Sequence, residues 1–124
     1  MSLHHLALRV ADPDLSARFY GGVLGLRELS RHFDAHLDAD SSPRAVWLAL
    51  GGAAVLMLER SLLPPGPTSG SAHVLVLGVD DLSAVEARLA AAGVAIVERT
   101  AFTVYLHDPD GHRIGLSTFR FVGL

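Results

Sequence analysis

The chain contains one pattern written twice. Laying HHLALRVADPDLSARFYGGVLGLRE over AHVLVLGVDDLSAVEARLAAAGVAIVE puts His5 on His73 and Gly25 on Gly93. Leu15-Ser16 falls on Leu82-Ser83 after a one-residue slip. Each copy reads as strand, Asp-containing turn, amphipathic helix, glycine stop, strand. Further along, AVWLALGGAAVLMLE overlays TVYLHDPDGHRIGLS without gaps, which sets Trp47 on Tyr105 and Met57 on Gly115. Both stretches are hairpins, one turning at Gly51-Gly52 and the other at Pro109-Asp110-Gly111. The repeated unit is therefore β-α-β-β-β. A unit this short cannot bury its own apolar face, so the two copies pack together, within one chain or exchanged between two.

The helices are predicted over about residues 14–24 and 82–92. Asp14 and Asp81 or Ser83 stand at their N-caps or first turns, and Gly25 and Gly93 just past their ends. Leu82, Val85 and Leu89 recur at helical spacing. Between the copies, SLLPPGPTSGS (61–71) reads as a linker, because its prolines and glycines oppose helix and sheet pairing.

At 124 residues and half apolar, the chain suits one domain with a real core. Ten basic against thirteen acidic residues, with no basic run, disfavour a nucleic-acid partner. The absence of cysteine excludes disulfides, thiolate ligands and a cysteine nucleophile. MSLHHLALRV lacks the regions of a signal peptide, and the longest apolar run, AVWLALGGAAVLML, is too short and glycine-broken to span a bilayer. A cytoplasmic protein with no membrane partner is the expectation.

Strand alternation sorts side chains into faces. Leu6, Leu8 and Val10 are expected under the helix, with His5, Ala7 and Arg9 pointing away. By the same rule Val74 and Val76 face the second helix while His73 faces away. Ile114 and Leu116 take the helix face, leaving Thr103, Tyr105, Arg113 and Gly115 on the other. Trp47, Val55, Met57 and Glu59 share the corresponding face of the first copy. Two imidazoles, a tyrosine and a tryptophan thus point to one concave surface, as a ligand pocket requires. His32 and His36 with Asp34 and Asp38 have the residue types of a metal cluster, but RHFDAHLDAD is polar all round and reads as exposed strand and loop. His107 and His112 flank the last turn and are expected to face solvent. No catalytic-triad signature or phosphate-binding glycine loop is present.

Paired βαβββ modules with His5 and His73 near their starts, together with HHLALRVADPDLSARFYGGVLGL and LHDPDGHRIGL, resemble the vicinal oxygen chelate superfamily. That superfamily includes glyoxalase I, bleomycin-resistance proteins, fosfomycin-resistance thiol transferases and extradiol dioxygenases. The resemblance implies an α+β fold in which two paired βαβββ modules form a curved mixed sheet around a cavity, with helices on the outer face. Residues 1–124 form a single domain, with module one at about 1–60 and module two at about 72–124. It further implies a metal site with a histidine on the first strand of each module and a carboxylate or glutamine on the last. Carried over, the histidines are His5 and His73, while the last-strand positions hold Met57 and Gly115. Thr103 and Tyr105 match positions that line the active site in the fosfomycin-resistance branch.

Two functions follow as expectations. In the first, the protein binds a small molecule between the modules, in a cavity lined by Trp47, Val55, Met57, Leu75, Thr103, Tyr105, Arg113 and Gly115. Its metal site is then degenerate, and the missing side chain at Gly115 creates room. In the alternative, a divalent metal (Zn, Mn, Fe or Ni) on His5 and His73, completed by Glu59 after a register shift, by water or by the substrate, supports a lyase, thiol transferase or dioxygenase. A metal-free variant of it has His5 or His73 as base and Tyr105 as the catalytic proton donor. A homodimer is expected from the habit of relatives.

Overall fold

A computed structural model describes residues 1–34, 42–60 and 73–123. The chain divides into two compact units, Met1–Gly66 and Pro67–Leu124, each built on a four-stranded mixed sheet. The first unit runs β1 (His5–Arg9), α1 (Pro13–Ala17), a π-helical turn (Arg18–Val23), β2 (Glu28–His32), β3 (Ala45–Gly51) and β4 (Ala54–Glu59). The second runs β5 (Leu75–Gly78), α2 (Leu82–Ala91), β6 (Glu98–Arg99), β7 (Thr103–His107) and β8 (Arg113–Ser117). Strand orders are β1-β4-β3-β2 and β5-β8-β7-β6. In each, the first strand pairs in parallel with the last, and the other pairs are antiparallel. The expected βαβββ unit therefore occurs twice, in an α+β fold. The predicted linker lies outside the described residues, as do His36 and Asp38 of the polar stretch.

Alternation supplies each sheet with one apolar face. In the first unit Leu8, Val10, Val46, Leu48, Leu56 and Leu58 are buried, and α1 packs on β3 and β4. Phe19 and Tyr20 are also buried, in edge-to-face contact at 5.1 Å. In the second unit Val104, Leu106, Ile114 and Leu116 are buried, as is Leu89 of α2. No helix among the described residues is long and apolar enough to cross a membrane.

The caps differ in part from expectation. Asp12 caps the first helix and leaves Asp14 in the first turn, one of the two places expected for it: the Asp12 carboxylate accepts from the amides of Asp14 (3.0 Å) and Leu15 (3.3 Å). Pro13 follows at the first helical position, where its missing N–H costs nothing. Asp81 caps α2 in the same way, through Ser83 (2.9 Å) and Ala84 (3.3 Å). Gly25 and Gly93 adopt φ of 84° and 71°, the left-handed stop that favours glycine. The first helix is also wound differently. Its second half is a π-turn, with the Leu24 amide donating to the Phe19 carbonyl at 3.0 Å. Residues 13–23 are helical, against 82–91 in α2, so the first helix holds one residue more.

Two polar devices fix the elements. Arg31 of β2 donates to Asp14 of α1 (2.7 Å) and to Glu28 (2.9 Å). The Arg31 hydrogen bond, helped by the charges of Arg18 and Arg31, holds the Asp14 carboxyl below its usual 3.8 against the opposing effect of burial. At the β7–β8 turn the Asp108 carboxylate accepts from the amides of Asp110 (2.9 Å) and His112 (2.8 Å). Asp108 and His112 are both buried. His112 is therefore not the solvent-facing residue expected, because the turn folds it inward; His107 is exposed.

Candidate functional site

In the first unit, the sheet face opposite the core carries the residues that alternation assigned to it. His5 pairs with Val55, Ala7 with Met57 and Arg9 with Glu59, and Met57 pairs in turn with Trp47. His32 stacks on Trp47 with ring centroids 4.2 Å apart and bonds to Ser30 at 2.9 Å. The Trp47 indole N–H is buried with no acceptor among the described residues. His5 is exposed, its Nδ1 2.8 Å from that of His4. Asp34 is held by Arg60 at 3.1 Å. The β1–β4 ladder runs unbroken from Val55 to Glu59, without the shift that would carry Glu59 into the place of Met57.

In the second unit, Gly115 pairs with Tyr105 on one side and Val76 on the other. A Cβ on Gly115 would lie 3.0 Å from Val76 Cγ2 and 3.1 Å from Tyr105 Cε1. The space above this glycine is thus taken, by a cross-strand aromatic ring and a valine, and is not the opening expected there. The Arg113 guanidinium lies 4.6 Å from the centre of the Tyr105 ring, a cation–π contact, and is ion-paired with Glu98.

The opening lies one row along. Thr103, Ser117 and Gly78 stand side by side on β7, β8 and β5. A Cβ on Gly78 would meet only Arg120 Nη1, at 4.0 Å. A cavity of about 480 Å³ sits there, lined by Val76, Gly78, Thr103, Ser117, Phe119 and Phe121. Of the expected lining residues it includes Thr103 alone. Leu75 is corrected outright: it pairs with the buried Ile114 and so belongs to the core face, while Val76 takes the cavity face. Alternation was counted one residue out of step on this strand. Ser117, Phe119 and Phe121 belong to an apolar stretch, STFRFVGL, whose composition suits a subunit interface or the core, yet they continue the odd-numbered series through Arg113 and Gly115 onto the cavity.

That miscount has a cause. Ala7 faces Met57 on the last strand of the first unit, and Val76 faces Gly115 at the matching place in the second. Counting back two residues, the position matching His5 is held by Val74. The caps agree, since Asp12 lies seven residues after His5 and Asp81 seven after Val74. The sequence overlay placed His73 there because it aligned histidines and glycines together. The extra residue of the π-turn lengthens the first interval by one and makes that overlay fit. His73 matches His4, and both are exposed. Within either unit, no three His, Asp or Glu side chains among the described residues converge on a common point.

Residues 2–116 match the family model of the Glyoxalase/Bleomycin resistance protein/Dioxygenase superfamily. Among curated proteins, the chain is 29% identical over 119 residues to the glutathione transferase FosA of Serratia marcescens, covering 93% of this chain and 79% of that protein. Among solved structures, TnmS3, an antibiotic binding protein from Streptomyces sp. CB03234, matches with a TM-score of 0.70 and 27% identity over 94% of both chains. A glyoxalase/dioxygenase from Nostoc punctiforme matches with a TM-score of 0.72 and 28% identity, over 93% of this chain and 88% of that one.

Proposed function

The chain belongs to the glyoxalase/bleomycin resistance protein/dioxygenase superfamily, and from that premise we propose that it binds a small molecule in a sheet-lined cavity without a catalytic metal. The observation that carries this reading is the Tyr105 ring packed against Gly115, the position at which the family resemblance implies a carboxylate ligand. Three of the four ligand positions implied for the two units, Val74, Met57 and Gly115, offer no imidazole or carboxylate. His5 alone is a poor host for a divalent ion, whose affinity depends on several nitrogen or anionic oxygen donors. Met57 is a soft thioether better suited to an apolar wall. These residues do not fit the metal of the family's enzymes.

TnmS3, an antibiotic binding protein aligned over nearly the whole chain, supports binding as the activity. Sequestering a toxic natural product is the biological role that a metal-free cavity of this kind would serve. The reading includes a cytoplasmic location and a homodimer. The FosA match supports a second reading, metal-dependent group transfer using His5 and His73.

Calorimetric titration of chelator-dialysed protein with a panel of aromatic and glycopeptide antibiotics separates the two. We expect at least one compound to bind with a micromolar or lower Kd, unchanged when Mn²⁺ or Zn²⁺ is added. Binding or thiol-transfer turnover that appears only with the divalent ion would overturn the metal-free reading.

A further inference from the structure

The Thr103–Ser117 pair has one more hydrogen than it can use. Thr103 Oγ1 and Ser117 Oγ are 2.7 Å apart across β7 and β8, and Ser117 Oγ also accepts the Phe119 amide at 3.1 Å. Two hydroxyls carry two hydrogens. One lies between the oxygens, and whichever hydroxyl supplies it, the other O–H has no acceptor among the described residues. Each side chain is on a residue only 8% exposed, and both line the cavity. A buried donor left unmade is costly, so the pair is set to donate once to whatever fills the space.

The rest of the lining restricts what that occupant is. Val76, Gly78, Phe119 and Phe121 carry no charge, and the neighbouring Arg120 guanidinium is already paired with Asp80 at 2.8 Å, so an ionic group would lose its hydration here for little in return. Phe119 and Phe121 meet edge to face at 5.2 Å, and Phe102 extends the row at 5.7 Å from Phe119. Phe119 and Phe121 are 49% and 70% exposed, which leaves ring surface available to a second aromatic system. The volume, about 480 Å³, is that of a site for a drug-sized molecule. We propose that this cavity takes an uncharged, planar aromatic molecule bearing a carbonyl oxygen, the rings lying against Phe119 and Phe121 and the oxygen accepting the spare hydroxyl hydrogen. The proposal rests on the binding reading above and names the ligand class for it.

The test uses 9-fluorenone and fluorene, which share one flat shape and differ by a carbonyl against a methylene. Their dissociation constants are measured on the full chain by NMR titration. Fluorenone should bind roughly 2- to 12-fold more tightly, the range of one neutral hydrogen bond. In Thr103→Val/Ser117→Ala that preference should vanish, whatever the absolute affinities become, and the amide spectrum of the variant reports an intact fold. Gly78→Leu should abolish binding of both, since the position has room for a side chain and the cavity lies above it. Equal affinities in the unaltered protein, or a preference that survives the double substitution, overturn the hydroxyl's role. Failure of both compounds to bind up to their solubility limits overturns the aromatic class. The antibiotic panel reports separately on whether the protein binds small molecules without metal at all.

Discussion

A side chain at position 115 would have to displace Tyr105 and Val76, so the glycine there serves close packing between strands. Aromatic rings commonly cover a glycine on the neighbouring strand in this way. Gly115→Glu is therefore expected to destabilise the protein by about 1–3 kcal/mol through overpacking. It should also leave the melting temperature insensitive to added Mn²⁺ or Zn²⁺. Tyr105→Ala frees the space, so the double variant should lose less than the sum of the single losses, by about 0.5–3 kcal/mol in urea unfolding. Additive losses would show that the ring and the glycine are independent. That Met57 shares a face with Trp47, and Gly115 with Tyr105, was legible from strand alternation in the two hairpins. The burial of His112 was not, because it depends on the Asp108 carboxylate gathering two amides across the turn.

At the scale of elements, two aspartates decide where the helices begin. Asp12→Ala and Asp81→Ala should each cost about 0.5–2 kcal/mol, read by chemical denaturation, because each leaves two first-turn amides without their acceptor. Arg31 ties α1 to β2 through Asp14 and Glu28. The Asp14 carboxyl titrates lower in the folded state than its usual 3.8, so its contribution is full above that value and disappears as pH falls through the lowered one. Arg31→Ala should accordingly melt below the unaltered protein at pH 6 and converge with it towards pH 2. The gap should be modest, under about 1 kcal/mol, since the ion pair is partly exposed. Helix positions and glycine stops were readable from local composition. The first helix starts one residue earlier than expected because Asp12 and Asp14 flank a proline and either satisfies the cap pattern.

For the whole molecule, the duplicated architecture was open to reading because each copy repeats the order of elements with its turn residues. The site was harder, since it depends on parity along a strand, and an error of one residue exchanges the two faces. Leu75 and Val76 changed places for that reason alone. Protein purified without chelators is expected to carry no stoichiometric divalent metal, and His5→Ala should leave its elemental analysis and melting unchanged. One equivalent of zinc or manganese lost on that substitution would restore the enzymatic alternative. The surplus residue in the π-turn bears on any attempt to interchange the halves. A chimera that grafts α2 in place of the first helix should need no spacer residue, because a turn closed by an i→i+5 bond takes up one extra residue without advancing the helix. Ser30 and Glu98 stand at the same remove from Gly25 and Gly93 and pair with Trp47 and Tyr105, so the strand leaving the graft would keep its face.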